Sequence, residues 1–205
     1  MIIGVDKAQK EGKHDLKHNS MIQMGHNLVF LPLPVGDYVV VDDAVQEVIT
    51  RRKDKLKKMD LLGVMRVSVD TKASMGELYQ NLVGQQHARF RDECILAQQN
   101  GIKLIILVES APEVSCLDDV KCWVNWNQLH AYCRRNGIGF GHGMMERIED
   151  YVSHGGQKPP VDGERLHKTM ITMSRKYDVR WAFCKPEVTG KAIVYLLNKG
   201  REQHV

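Results

Sequence analysis

The chain has 205 residues, 43% apolar and 26% charged, a balance that excludes a disordered or fibrous protein and suits one globular core. Its net charge of +4 points only weakly to a polyanionic partner, and no apolar run approaches the ~18 residues that a membrane span needs. The five cysteines are odd in number and form no C-x-x-C pair, which excludes a disulfide framework and a zinc ribbon and leaves an intracellular, reducing compartment as the expectation.

Ile2 to Val5 reads as a first strand with Asp6 at its end. Residues 7–20, rich in Lys and His, read as a loop or a weak helix. Leu28 to Leu33 is a second strand, broken by Pro32, Pro34 and Gly36. Asp37 follows the glycine, and Tyr38-Val39-Val40-Val41 resumes a β-rich run. In 42–60 the spacing of Val45, Val48, Ile49 and Leu56 is roughly helical, and Arg51, Arg52, Lys53, Lys55, Lys57 and Lys58 make a basic run. Such a run is either a solvated face or an arm that contacts phosphates.

Val64 to Thr71 alternates as a strand, with Val67 and Val69 against Ser68 and Asp70. Gly76 to Asn100 is helical in two pieces separated by Gly84, and Asn100-Gly101 is a helix stop. The continuous run IKLIILV, 102–108, suits a strand covered on both faces. Together these form a βαβ unit with parallel strands and a right-handed crossover. Trp126, Leu129, His130 and Cys133 share a helical face, and a glycine-rich loop, 137–143, follows. Met144 to Val152 is a short helix and 153–161 a loop. Asp162 caps a helix that buries Leu166, Met170, Met173 and Tyr177. Val179 to Phe183 is a late strand. Pro186 opens a last helix, which Gly200 ends. Cys94, Cys133 and Cys184 read as core residues. The glycine loop follows a helix rather than a strand, which argues against dinucleotide binding. The histidines at 130, 142, 154 and 167 lack zinc spacing.

Chemistry concentrates at Gly36-Asp37 and at Asp70-Thr71-Lys72. In a strand, residues two apart face the same way, so Asp70 and Lys72 point to one side and Thr71 to the other. Two carboxylates on neighbouring strands suit a hard divalent cation that keeps several waters. A lysine beside them stabilises charge developing on a phosphate or lowers the pKa of a nearby water. A D-x-K tripeptide alone is weak evidence; its place before a βαβ helix strengthens it.

The text IIGVD (2–6), LPLPVGDYVV (31–40), VSVDTKASMGEL (67–78) and HARFRDECILAQQNGIKLIILVE (87–109) resembles the XPF/Hef-type nuclease domain of the PD-(D/E)XK superfamily, with a looser match over 162–198. The resemblance implies a restriction-endonuclease-like α/β fold. It implies a mixed central sheet flanked by helices, antiparallel early and parallel in the middle. It places core 2–109 and a mostly helical part, 110–205, in one nuclease domain. It implies an Mg2+ (or Mn2+) dependent DNA endonuclease, structure-selective, in repair or recombination. Catalytic roles fall to Asp37, Asp70, Lys72 and Glu77, metal ligation to Asp6, Asp37 and Asp70, and DNA contacts to Arg89, Arg51, Arg52 and Lys53. The partner is DNA, branched or at a junction, and a homodimer is expected. The chain departs from the pattern in having Asp70 for Glu, Thr71 for Arg and Glu77 one position late. The connection 42–63 is also longer, and no helix-hairpin-helix module follows. The alternatives are a non-catalytic DNA-binding or scaffold subunit and an RNA-processing nuclease.

Overall fold

The computed structural model describes residues 1–9, 12–160 and 162–202, with residues 54, 201 and 202 described in backbone only. Residues 10 and 11 of the expected 7–20 segment, and residue 161 of the expected loop, lie outside the described residues. A six-stranded mixed sheet has the order β2-β1-β3-β4-β5-β6. Its strands are β1 (Ile2–Asp6), β2 (Asn27–Leu31), β3 (Tyr38–Val40), β4 (Val67–Lys72), β5 (Lys103–Glu109) and β6 (Arg180–Cys184).

The central strands alternate their apolar residues between two covered faces, whereas the edge strand β2 leaves Val29 and Phe30 exposed. Leu104, Ile106 and Val108 of β5 pack against one helical layer, and Ile105 and Leu107 against the other. The first layer holds α2 (Asp43–Arg52), α3 (Met75–Leu82), α4 (His87–Gln99) and α7 (Asp162–Tyr177); the second holds α1 (Asp15–Gln23) and α8 (Thr189–Glu202). Helices α5 (Trp126–Arg135) and α6 (Met144–Ser153) close a smaller core around Leu129, Cys133 and Ile148. No helix among the described residues is long and apolar enough to cross a membrane.

The expected βαβ unit is present, since β4 and β5 pair in parallel. The early sheet is antiparallel around β3, as expected, and differs in one pairing. Strand β1 pairs with β2 in parallel, and the antiparallel partners are β1 with β3 and β3 with β4. The crossover from β1 to β2 is α1, which starts in the segment expected as a loop or weak helix and runs three residues past it. Gly200 does not end the last helix. It lies inside α8, where an added Cβ would stand 2.7 Å from Val67 Cγ1, so the glycine serves close packing on β4. Cys94, Cys133 and Cys184 are buried as expected, whereas Trp126 is exposed and does not join the face of Leu129 and Cys133.

The topology gathers strand ends. Because β3 alone runs against its neighbours, its first residue, Tyr38, pairs with Val5 next to Asp6 and with Val69 next to Asp70. Asp6, Asp37, Asp70 to Lys72 and Glu109 therefore collect at one edge of the sheet. In open α/β sheets the crevice at the carboxyl ends of parallel strands is where ligands bind.

Candidate active site

The segment between β2 and β3 is pinned from several sides before it delivers Asp37. Ser68 Oγ donates to the Val35 carbonyl at 2.7 Å. The Gly36 amide donates to Glu93 Oε1 at 2.8 Å, and the Asp37 amide to the Val69 carbonyl at 2.9 Å. Gly36 has φ +66, the left-handed region that glycine adopts without strain. Asp37 Oδ2 then accepts from Thr71 N at 2.9 Å and from Thr71 Oγ1 at 2.6 Å. Strand alternation turns Thr71 away from Asp70 and Lys72; at the strand end that direction aims it at Asp37, so its hydroxyl positions the neighbouring carboxylate.

Asp70 and Lys72 share a face, as their spacing predicts, and form an ion pair at 2.6 Å with side chains 7% exposed. Phe90 of α4 lies under the ammonium, 5.5 Å from ring centroid to Nζ. Beyond that ammonium, Asp70 Oδ2 finds no hydrogen-bond donor among the described residues. Burial raises the Asp70 carboxyl to about 7 against the pull of Lys72, and the charges of Asp37 and Glu93 push it the same way. Burial lowers the Lys72 ammonium, but Asp70, Glu93 and Asp37 together outweigh it and raise the ammonium. Both partners shift upward, and the shared contribution is that several carboxylates face a single lysine.

Asp6, Glu77 and Arg89 line the same cleft, and Arg51, Arg52 and Lys53 do not. Asp6 Oδ1 accepts from the Ala8 and Leu33 amides at 3.3 and 3.4 Å, and Oδ2 stands 3.9 Å from Lys58. Glu77 Oε2 accepts from the Ala73 amide at 2.9 Å, while Ser74 Oγ accepts from the Glu77 amide at 3.2 Å, so both ends of this turn cap α3. Arg89 lines the site. Glu93 holds Gly36, and no ion pair joins it to Arg89 among the described residues. Arg51, Arg52 and Lys53 are exposed beyond the site, with Arg52 paired to Asp60 at 2.8 Å. From the same basic run Lys58 reaches the site instead.

These groups line a cleft of about 560 Å³. Its walls also carry Gln9, Lys13, His14 and Lys17, which sequence reasoning missed. Their signal was the Lys- and His-rich segment directly after Asp6. Lys17 is ion-paired with Glu109 at the end of β5, which anchors this wall to the sheet.

A divalent cation implied by the resemblance can be tested against these donors. Among the described residues, no three His, Cys, Asp or Glu side chains are grouped as a fully protein-made site requires. Asp37 and Asp70 nonetheless offer hard oxygens beside an excess of negative charge, and Asp70 Oδ2 has only the lysine to give up. Two carboxylates with water completing the shell suit magnesium. The residues present therefore fit such an ion at Asp37 and Asp70.

The raised Asp70 carboxyl should make stability depend on pH. A carboxyl raised to about 7 in the folded state, against about 3.9 unfolded, takes up a proton on folding. Its contribution is full below the unfolded pKa and is lost as pH rises through 7. In EDTA, the stability of wild type relative to Asp70→Asn should fall between pH 4 and 7, by at most about 1.4 kcal/mol per pH unit. A difference flat with pH in denaturant titrations would show that Asp70 does not titrate this way.

No family model and no curated protein matches the sequence. Among solved structures the chain is similar to XPF from Aeropyrum pernix, both in complex with DNA and without it. Each has a TM-score of 0.50 and 15% identity over 98% of this chain. The chain spans 66% and 65% of the length of those two chains. The likeness is one of fold: a mixed α/β sheet flanked by helices.

Proposed function

We propose that this protein is a metal-dependent DNA endonuclease acting in the Asp37–Asp70–Lys72 cleft. The observation that carries this reading is the convergence of two strand-end carboxylates and a buried lysine in a cleft whose rim bears Lys13, Lys58 and Arg89. A bound divalent cation supplies charge neutralisation of the phosphate and activation of a water. Asp37 and Asp70 hold it, Thr71 fixes the Asp37 carboxylate, and the Lys72 ammonium faces charge that develops on the phosphate oxygens. Glu77 takes the role of a helix cap that positions the end of β4. The similarity to a structure of XPF with DNA supports DNA as the partner. Branched or junction DNA, a homodimer, and a place in repair or recombination belong to the same reading.

The test is cleavage of end-labelled single-stranded, duplex, flap and four-way DNA, and of matching RNA, with magnesium, manganese or EDTA. The expected result is metal-dependent cutting that DNA supports better than RNA. The alternative reading is a non-catalytic DNA-binding subunit. Binding without cutting in both metals would favour it.

Phosphate contacts are read by salt. Each contacted phosphate contributes about 0.9 to the slope of log affinity against log salt on duplex DNA. Alanine at Lys58 or at Arg89 should each lower that slope by about one contact. Alanine at Arg51, Arg52 and Lys53 together should also lower it, while leaving single-turnover rates at saturation unchanged because these residues lie outside the cleft. Slopes unaffected by all three changes would remove these side chains from the DNA path.

A further inference from the structure

Buried polar atoms nearly always find a partner, because an orphan costs about 1–3 kcal/mol. Among the described residues four buried side-chain atoms have no hydrogen bond, and three of them line this one cleft: Asp70 Oδ2, Gln9 Nε2 and His14 Nδ1. The first is an acceptor at the carboxylate cluster, with only its ion pair to Lys72. The other two sit on the segment between β1 and α1: the Gln9 amide nitrogen is a donor, and the His14 ring nitrogen donates in one of the two neutral tautomers.

The orientation of Gln9 is fixed by a chain of contacts. Tyr38 is fully buried, and burial holds its phenol well above the usual range, so it stays protonated. Its hydroxyl donates to Gln9 Oε1 at 3.3 Å and lies 3.2 Å from His18 Nε2. With Oε1 committed to Tyr38, the amide NH2 is the end left over, and an NH2 can only donate. His14 lies beside His18, with ring centroids 6.1 Å apart, and near Lys13, Lys17 and Asp37. Burial and the neighbouring lysines lower its pKa, and a neutral ring carries one N–H, which Nδ1 holds in one of the two tautomers. The Gln9 NH2, and His14 Nδ1 in the tautomer that protonates it, suit an anionic acceptor beside these lysines, as the carboxylate oxygens opposite suit a cation.

We propose that Gln9 and His14 are positioning residues that hold the non-bridging oxygens of a nucleic-acid phosphate on the β1–α1 side of the cleft. This rests on the nuclease reading. It adds a donor wall to that reading, so that the phosphate is gripped by Gln9 and His14 while Asp37 and Asp70 take the cation. No covalent step is assigned to either residue.

The test combines variants with oligonucleotides in which a single neutral methylphosphonate linkage is moved through the cut site. Gln9→Glu keeps the acceptor for Tyr38 and replaces the donor by an anionic oxygen. His14→Ala removes the ring, and His14→Gln restores a donor. On all-phosphate DNA, Gln9→Glu and His14→Ala should each lose about tenfold to a hundredfold in kcat/KM, the range of one hydrogen bond to a charged group. His14→Gln should recover most of that loss, with melting temperatures unchanged. Wild type should lose a similar factor when one particular linkage is neutral, and the two impaired variants should lose nothing further at that linkage. Independently of cutting, the imidazole 15N resonances of His14 should shift when DNA is added in EDTA.

Variants that cut as wild type does, or that lose equally at every neutral linkage, overturn the donor wall while the nuclease reading stands. A wild type that neither binds nor cuts DNA overturns both. Binding without cutting, with an unshifted His14, overturns the donor wall on its own evidence.

Discussion

Asp70→Asn should lower the cleavage rate by about 10³-fold or more, while the fold and the affinity for DNA persist. The substitution is isosteric, so packing around β4 is kept. What it removes is the charge. Asp37, Asp70 and Glu93 surround one lysine, and that excess of negative charge makes the cleft attractive to a divalent cation. An amide neither balances a cation nor binds it as a carboxylate does. DNA affinity should hold or rise slightly, since one repulsive charge near the phosphates is gone. Asp70→Ala makes a useful contrast. It leaves the Lys72 ammonium, 7% exposed, without its closest partner. Breaking a buried pair from one side costs about 3–5 kcal/mol, so the alanine variant should lose stability as well as activity. Retained cleavage in Asp70→Asn would remove Asp70 from the chemistry.

Gly36→Ala should destabilise the protein by about 2–4 kcal/mol and abolish cleavage with it. At φ +66 any side chain is strained by about 1–2 kcal/mol. Here there is also no room, because a Cβ would stand 2.2 Å from Ser68 Oγ. Ser68 would have to give up its bond to the Val35 carbonyl, and Asp37 would move off Thr71. Gly101 is the control. It has φ +65 with nothing within 4 Å of where a Cβ would stand, so Gly101→Ala should show the backbone cost alone. Equal destabilisation of the two variants in urea would show that the Gly36 contact is relieved without consequence.

The middle of the fold was legible because its signals are local. The alternation of Val67, Ser68, Val69 and Asp70 fixed which side chains share a face, and the two-sided burial of IKLIILV followed from its being apolar throughout. The shared face of Asp70 and Lys72 follows from the same alternation. What was missed depends on distant contacts. Helix α1 buries only Met21, so its sequence carries no apolar stripe to read. It is held by α8, where a Cβ on Gly190 would come within 2.7 Å of the Lys17 carbonyl. Residues 7–20 read only as a loop or a weak helix, and the cleft wall of Lys13, His14 and Lys17 that comes with α1 was missed. Likewise, Gly200 reads locally as a helix stop, and only its approach to Val67 explains why the helix continues. Glu93 lies four positions after Arg89 on α4, yet it accepts from the Gly36 amide, a contact across 57 positions that no local spacing encodes.

Metal-dependent cutting in the Asp37–Asp70 cleft is tested most simply by single-turnover cleavage of end-labelled flap DNA. Wild type and the Asp37→Asn/Asp70→Asn double variant are compared, with DNA binding measured on the same samples. Wild type should cut with magnesium and not in EDTA, and the double variant should not cut at all, with binding retained throughout. Cutting by the double variant at the wild-type rate, or binding by wild type without cutting in either metal, would contradict a metal-dependent nuclease at this site.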